Sequence, residues 1–344
     1  MANVTIKDIA KMCNVGVSTV SRTLNGHPDV NPETRKQILE AVEKMHYVPN
    51  NSARNLGRSE NDAIALLVKG VSNTLFSPMI GIIEEEAKER GYDTVLHSVG
   101  FYEDELDVAR ELVKEKRLRG IIFLGGFSFH SEEKLNELDV PFVLATTGYV
   151  TERFNRGTYS SVSVDDEAEA RKMTEYLIKM GHHRIAILGP SLKDNSSVGG
   201  LRLLGYKSAL VSNGFDYNEK LIIPMDRDTV DYSMENGYAA MTRFLKEGGK
   251  CSAVFAISDT LAIGAERAIH DLGMRTPADI AVAGFDGIEA GRFMIPSITT
   301  IRQPVEDMAE SAADILFNVI EKTGDHRHET FPGELIERES TKLR

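Results

Sequence analysis

Two hydrophobic patterns divide the sequence near residue 62. Before this point apolar residues recur at helical spacing, with helix start and stop signals between them. Thr5 and Asp8 form a candidate capping box for a first helix, and Asn31 with Pro32 marks the start of a third. After this point short apolar runs alternate with amphipathic helical stretches, which is typical of parallel sheets covered on both faces. The sequence therefore predicts a small helical head and a larger α/β body.

The body contains eight candidate strands and at least six candidate helices. The strands are 63–68, 92–97, 120–124, 141–145, 161–164, 184–188, 253–257 and 280–283. The helices are 78–90, 103–115, 165–180, 200–213, 258–272 and 304–321. Two more strand-like runs follow at 329–331 and 334–337. A body of about 280 residues is too large for one sheet, so we expect two similar α/β lobes.

Composition is that of a globular protein, and the charge is unevenly distributed. The 344 residues are 42% hydrophobic and 27% charged, which excludes a disordered chain, a collagen and a small disulfide scaffold. The net charge of −12 conceals a slightly basic head, because residues 1–60 hold eight basic and six acidic side chains. A basic head on an acidic body is compatible with a DNA-binding element attached to a sensor.

The sequence gives no sign of a membrane or secreted protein. No apolar run approaches the roughly 18 residues that span a bilayer, and the N-terminus lacks the apolar core of a signal peptide. Cys13 and Cys251 lie far apart, so we expect free thiols in a cytoplasmic protein.

Residues 5–25 predict two short helices joined by a tight turn. The apolar stripe of the first helix would pack on Val15 and Val20. The outer face of the second helix would then hold Val17, Ser18, Ser21 and Arg22. Such a helix fits the major groove of DNA, although the same spacing also suits a three-helix unit that binds no DNA.

The residues of this segment resemble the LacI/GalR family of bacterial transcription regulators, as do several later motifs. The first is T-I-x-D-I-A-K-x-x-x-V-x-x-x-T-V-S-R-x-L-N at 5–25, and P-N-N-S-A-R-N-L at 49–56 is similar to the family's hinge. Further matches are R-L-L-G-Y at 202–206, S-D-T-L-A-I-G at 258–264, G-F-D-G at 284–287 and T-T-I-R-Q-P at 299–304. Motifs in this order over nearly the whole chain are highly specific.

The resemblance implies an α/β fold with a helix-turn-helix headpiece, a hinge helix and a two-lobed core of parallel sheets similar to periplasmic binding proteins. The expected boundaries are 1–46 for the headpiece, 47–60 for the hinge and 61–344 for the core. Within the core we expect an N-lobe of 61–161 and 303–324 and a C-lobe of 162–302 and 325–344.

Matched by position, the resemblance also implies which residues contact DNA. The expected base-reading residues are Val17, Ser18 and Arg22, and the expected phosphate contacts are Thr5, Ser21 and Asn25. In the hinge, Leu56 would enter the minor groove at the operator centre, with Ala53 on the same helix face and Asn50 in the same segment. The alternative for Leu56 is an ordinary linker position.

A small molecule is expected between the lobes. Arg202 and Asp286 match the family's two effector-gripping positions, although each alone could be a surface cation or a turn residue. Further candidate contacts are Phe76, Thr146, Tyr232, Ser258 and Gln303. The two aromatics could stack on a ligand or belong to the core. A sugar or sugar derivative is the expected effector, with a nucleobase or nucleoside as the alternative.

These observations predict a repressor rather than an enzyme. Dinucleotide and phosphate-loop fingerprints are missing from the sequence, and its histidine pairs lack further metal ligands, so we expect no cofactor and no metal. The expected partners are pseudo-palindromic operator DNA, a carbohydrate effector and a second copy of the chain. A free cytosolic solute-binding protein is the alternative, which the headpiece opposes.

Assembly and protein partners can also be predicted. The chain lacks a C-terminal leucine-heptad tail, which favours a dimer over a tetramer. A candidate interface is the helix 78–90, with its apolar stripe of Met79, Ile82, Ile83 and Ala87. The alternative is that this stripe packs only on its own sheet, as at least part of it must. A phosphoprotein partner is disfavoured by the acidic residues Glu306, Asp307, Glu310 and Asp314 after Gln303 and Pro304.

Overall fold

The computed structural model describes most of the chain as two units, 1–61 and 62–344. The described residues are 5–24, 30–45, 62–70, 73–100, 103–126, 132–147, 157–189, 197–225 and 232–342. Among them, no helix is long and apolar enough to cross a membrane. Cys13 and Cys251 are both free thiols, as expected.

The first unit contains the three predicted helices. They are α1 (Ile6–Met12), α2 (Val17–Leu24) and α3 (Pro32–Lys44). The Asn31 side chain accepts from the amide of Glu33 at 2.9 Å and so caps α3. Ile9, Val20 and Ile38 are fully buried, one from each helix, and form the centre of a small core.

The second unit is built on two six-stranded sheets. The strands are β1 (Ala63–Lys69), β2 (Asp93–Val99), β3 (Gly120–Leu124), β4 (Phe142–Ala145), β5 (Ser160–Val164), β6 (Ile185–Gly189), β7 (Ile222–Pro224), β8 (Ala253–Ala256), β9 (Ala281–Asp286), β10 (Thr299–Arg302), β11 (His328–Phe331) and β12 (Glu334–Ile336). The first sheet has the order β11-β5-β4-β3-β1-β2, with every strand parallel to its neighbours. The second has the order β12-β10-β9-β8-β6-β7, in which only β12 is antiparallel.

Helices cover the sheets. They are α4 (Phe76–Glu89), α5 (Glu105–Lys116), α6 (Glu132–Leu135), α7 (Asp166–Lys179), α8 (Val198–Ser212), α9 (Met234–Lys246), α10 (Asp259–Asp271), α11 (Glu289–Arg292) and α12 (Val305–Ile320). Two glycines let helices approach closely. A Cβ at Gly205 would lie 2.1 Å from the carbonyl oxygen of Glu167, and one at Gly264 would lie 2.0 Å from that of Met234. Both glycines lie in motifs of the sequence analysis, so part of each motif serves packing.

The lobe boundaries differ from the expected ones. Strand β5 lies wholly in the first sheet, so the chain first leaves that sheet after Val164 rather than at 161. Strand β11 pairs with β5, so the last crossing lies between Phe331 and Glu334 rather than at 324. Strand β11, the segment before β12, pairs with β5 and forms one edge of the first sheet. The chain also crosses between β10, in the second sheet, and α12, which packs on strands of the first sheet.

The apolar stripe on α4 faces inward. Met79, Ile83 and Ala87 are fully buried in the core of the second unit, and α4 packs on α12. Their own sheet and α12 already bury these three residues, as at least part of the stripe must be. Ile82, the fourth residue of the stripe, is half-buried, and an interface on this helix stays a prediction.

Candidate DNA-binding surface and effector site

The first unit presents the outer face of α2 as predicted. Asn14 takes a positive φ of 54° in the turn after α1, and the amide of Val15 donates to the carbonyl of Ala10 at 3.0 Å. This turn directs Val20 into the core and leaves 42% of Val17 exposed. Ser18 and Arg22 are also exposed, and Ser21 is half-buried. The predicted base-reading residues Val17, Ser18 and Arg22 and the predicted phosphate contact Ser21 therefore lie on or beside one accessible surface of α2.

Thr5 has a structural role in addition to its predicted phosphate contact. Its amide and hydroxyl both donate to one carboxylate oxygen of Asp8, at 2.9 and 2.6 Å. These hydrogen bonds hold the pKa of Asp8 below its usual range. The hydroxyl hydrogen of Thr5 is thus already used to start α1. The predicted contacts at Asn25, Asn50, Ala53 and Leu56, and the hinge 47–60, lie outside the described residues.

In the second unit the predicted effector residues follow the carboxyl ends of strands in both sheets. Phe76 comes after β1, Thr146 after β4, Arg202 after β6, Tyr232 after β7, Ser258 after β8 and Gln303 after β10, while Asp286 ends β9. Carboxyl ends of parallel strands are the usual location of ligand sites in α/β proteins. The distances between these residues decide which of them form one site.

Arg202 is the centre of the site. It is buried, and its Nε donates to Asp166 Oδ1 at 2.8 Å. Its Nη1 donates to the carbonyl of Ile257 and lies 3.6 Å from Asp286 Oδ1. The guanidinium carbon lies 3.6 Å from the ring centre of Phe285. These contacts hold the guanidinium group in a single orientation. The Phe285 ring covers one of its faces, and the carboxyl groups of Asp166 and Asp286 lie at its edge.

Asp286 receives side-chain hydrogen bonds from Gln303, which directly follows β10, and from Asn73 in the first lobe. Gln303 Nε2 donates to its Oδ1 at 2.8 Å, and Asn73 Nδ2 donates to its Oδ2 at 3.0 Å. Asn73 precedes α4 in the first lobe, while Asp286 ends a strand of the second. Asp286 has a positive φ of 113°, which costs a non-glycine residue about 1–3 kcal/mol and persists only where surrounding contacts hold it.

Burial raises the pKa of several carboxyl groups here. It raises the pKa of Asp166 to about 6, although Arg202 opposes this change. It raises the pKa of Asp259 to about 8, and repulsion from Asp286 adds to the effect. The pKa of Asp286 is also raised by burial, with Arg202, Asn73 and Gln303 opposing. In their ionised forms Asp166 and Asp286, at 2.8 and 3.6 Å from Arg202, compensate its positive charge.

Ser258 and Tyr232 form a second group beside Arg202. The Ser258 hydroxyl accepts from the amide of Leu261 at 3.3 Å and so caps α10. It also lies 2.9 Å from the Thr260 hydroxyl, which donates to the carbonyl of Tyr232 at 2.6 Å. Ser258 follows Ile257 directly, so this group is continuous with the contacts of Arg202.

Phe76 and Thr146 form a third group, at the strand ends of the first sheet. The amide of Gly125 donates to the Thr146 hydroxyl at 3.2 Å. A Cβ at Gly125 would lie 2.5 Å from the Phe76 ring, so the ring packs directly on this turn. Only 6% of Phe76 is exposed, which makes it a core residue in this structure.

Asn73, Asp166 and Asp259 are site residues that sequence reasoning missed. Asn73 lies three residues before the predicted contact Phe76, and Asp166 was part of a predicted helix start. Both are polar residues next to strand or helix ends, and only the fold shows that they meet Arg202 or Asp286. Among the described residues, no cluster of His, Cys, Asp and Glu side chains could hold a metal ion.

Comparisons with known families agree with this architecture. Residues 5–50 match the family model described as bacterial regulatory proteins, lacI family. Residues 174–341 match the periplasmic binding protein-like domain.

Two curated relatives align over nearly the whole chain. The HTH-type transcriptional regulator MalR of Clostridium butyricum is 39% identical over 338 residues, which cover 97% of this chain and 98% of MalR. Catabolite control protein A of Priestia megaterium is 31% identical over 343 residues, which cover 99% of this chain and all of that protein.

Two solved structures are similar over a comparable length. The complex of the transcriptional regulator CelR with cellobiose has a TM-score of 0.69 and 28% identity, covering 98% of this chain and 100% of CelR. The Lac repressor dimer bound to operator and the anti-inducer ONPF has a TM-score of 0.74 and 25% identity, covering 99% of this chain and 100% of the repressor.

Proposed function

Because this chain belongs to the LacI family of bacterial transcriptional regulators, we propose that it is a repressor whose operator affinity is switched by a sugar. In this proposal, residues 1–46 bind DNA, residues 47–60 form the hinge, and the core holds the sugar at Arg202 and Asp286. Two copies bind one pseudo-palindromic operator in the cytoplasm, with one headpiece on each half-site. The similar structures of CelR with cellobiose and of the Lac repressor dimer on its operator support this arrangement.

The buried pair of Arg202 and Asp286 is the observation that carries the sugar assignment. Each oxygen of Asp286 accepts from a side-chain amide, and Arg202 is neutralised by Asp166 and Asp286. A hydroxyl group both donates and accepts, so a sugar hydroxyl can replace an amide at Asp286 and accept from Arg202. An anionic ligand would instead need a positive charge that these carboxyl groups have already compensated.

A nucleobase effector is less well supported, because it would stack on an aromatic face and two of the three aromatic rings named at this site are covered. Phe76 is buried, and the Arg202 guanidinium covers a face of Phe285. Of the aromatic residues considered, Tyr232 is the one that remains half-buried and accessible.

A phosphoprotein partner is also disfavoured. On α12 the acidic residues Glu306, Asp307 and Glu310 are exposed, while Asp314 pairs with Arg90 and Arg327. The exposed carboxylates would repel a phosphoserine, so we propose that the sugar acts without such a partner.

A ligand screen tests the proposal. Thermal melting is measured with cellobiose, maltose, glucose, glucose 6-phosphate, hypoxanthine and adenosine, since a ligand that binds the native state raises its stability. We expect a neutral sugar to raise the melting temperature and to change operator affinity in a gel-shift assay. A response to hypoxanthine or adenosine alone would support the nucleobase alternative, and a response to glucose 6-phosphate alone would contradict the charge argument.

Replacing Arg22 with alanine tests the headpiece. We expect a loss of about 1–3 kcal/mol on an operator selected from a random pool with the wild-type protein, and little change on random DNA, because a guanidinium can pair bidentately with guanine. Arg22→Lys is the matched control, since it keeps the charge and loses the fork. An equal loss on both DNAs would mean that Arg22 only neutralises phosphate.

Replacing Asn73 with alanine tests the contact between the lobes. The hydrogen bond from Asn73 to the Asp286 carboxyl group is buried, so its loss is expected to lower the free energy of unfolding by about 1.5–3 kcal/mol. Asn73→Asp places a second carboxyl group against Asp286 and should destabilise more at pH 8 than at pH 5. Urea denaturation measures both variants. Wild-type stability of Asn73→Asp at pH 8 would contradict the contact.

A further inference from the structure

Asp259 is buried beside the proposed sugar site, in a position that the proposed function does not use. It is the first residue of α10, whose N-cap is Ser258, and its side chain is inaccessible to solvent. Its Oδ2 accepts from the amides of Gly287 and Ile288, at 2.8 and 2.9 Å. These two residues directly follow Asp286. The carboxyl group of Asp259 therefore holds the segment that carries one of the two proposed sugar-gripping residues.

The backbone at this point needs such support. Asp286 and Gly287 both have positive φ values, 113° and 79°, and Asp286 is not a glycine. The amide of Gln303 donates to the Asp286 carbonyl at 3.1 Å and fixes the residue from one side. Asp259 fixes it from the other side through the next two amides, so the strained conformation is held at both flanks.

Asp259 is also held tightly against strand β9. A Cβ at Gly284 would lie 2.1 Å from Asp259 Oδ1, so the carboxyl group occupies space that a side chain at 284 would need. This contact is two residues before Asp286. The Asp259 side chain therefore bridges from β9 to the segment after it, and it can move little without moving Asp286.

We propose that Asp259 is a positioning residue for the effector: it sets the orientation of the Asp286 carboxyl group by accepting the amides of Gly287 and Ile288. The proposal rests on the proposed sugar site. The proposal requires residue 259 to place a hydrogen-bond acceptor oxygen at the Oδ2 position. The side-chain amide of asparagine can supply that oxygen.

The test compares Asp259→Ala and Asp259→Asn in the full chain. Glu266→Ala is the matched control, because Glu266 is a buried carboxylic acid on the same helix, α10. Hydrogen exchange of the Gly287 and Ile288 amides is measured by NMR, and affinity for cellobiose and maltose is measured by calorimetry. Stability is recorded for each variant, so that general destabilisation can be separated from loss of positioning.

We expect Asp259→Ala to lose protection of both amides and to weaken sugar binding at least about tenfold, while Asp259→Asn stays within about threefold of wild type. Glu266→Ala should keep both amides protected and bind sugar as wild type does. Wild-type protection and affinity in Asp259→Ala, or an Asp259→Asn variant as impaired as Asp259→Ala, would overturn the proposal. A wild-type protein that binds neither sugar counts against the proposed function, and the amide protection then decides the role of Asp259 by itself.

Discussion

Replacing Arg202 with alanine is expected to lower the free energy of unfolding by about 3–5 kcal/mol and to abolish the response of operator binding to sugar. The stability loss arises because Asp166 and Asp286 would remain buried without the cation that lies 2.8 and 3.6 Å from them. The response is lost because a ligand can shift the protein between two states only through contacts that differ between those states. Urea denaturation and a gel-shift titration with sugar measure the two effects.

Arg202→Lys separates charge from geometry. An ammonium group restores a positive charge but cannot contact Asp166, Asp286 and the carbonyl of Ile257 with the planar fork of a guanidinium. We therefore expect Arg202→Lys to recover part of the stability and none of the sugar response. A lysine variant that responds to sugar at the wild-type concentration would show that positive charge alone is sufficient.

The sequence predicted those elements whose burial follows from local pattern. Strand β3 was predicted over its observed range, Gly120–Leu124, because an unbroken apolar run bounded by glycines fits a doubly covered parallel strand. Strand β10 (Thr299–Arg302) was identified only as a family motif. Thr299 and Thr300 are fully buried there by neighbouring strands, and this burial is a tertiary effect that the polar sequence conceals. Helix α9 (Met234–Lys246) was not among the predicted helices, and two of the residues that it buries, Asn236 and Gly237, are not apolar.

The residues of the candidate site also divide into those that the sequence predicted and those that only the fold brings together. Arg202, Asp286 and Gln303 were identified because their motifs carry them, and they lie in direct contact. Asn73 meets Asp286 across 213 positions of sequence, so no local pattern could pair them. Gly205 lies in the same motif as Arg202, and it lets α8 approach α7 closely. Its role in this structure is therefore helix packing. A sequence motif thus marks the position of a site, but it contains both residues with a chemical role in the site and residues that serve helix packing.

The buried carboxyl groups also set the direction in which stability depends on pH. Burial raises the pKa of Asp166 to about 6, of Glu266 to about 7 and of Asp259 to about 8. Each group keeps its proton in the native state at pH values where the unfolded chain has already lost it. The native state then binds more protons than the unfolded state, so the free energy of unfolding falls as pH rises. The fall begins above the ordinary carboxyl pKa near 4 and ends at about pH 8, where Asp259 ionises in the native protein.

Asp259→Asn is expected to remove the largest part of this dependence, because an amide does not ionise in either state. Between pH 5 and pH 8 its free energy of unfolding should gain up to about 4 kcal/mol relative to wild type, which is three units of pH at about 1.4 kcal/mol each. Asp279→Asn is the control, since Asp279 is exposed and its hydrogen bonds with Arg275 lower its pKa, so its effect on stability lies below this range. Urea denaturation of the three proteins at pH 5, 6, 7 and 8 gives the curves. If Asp259→Asn and wild type run parallel, Asp259 is already ionised in the native protein at pH 5.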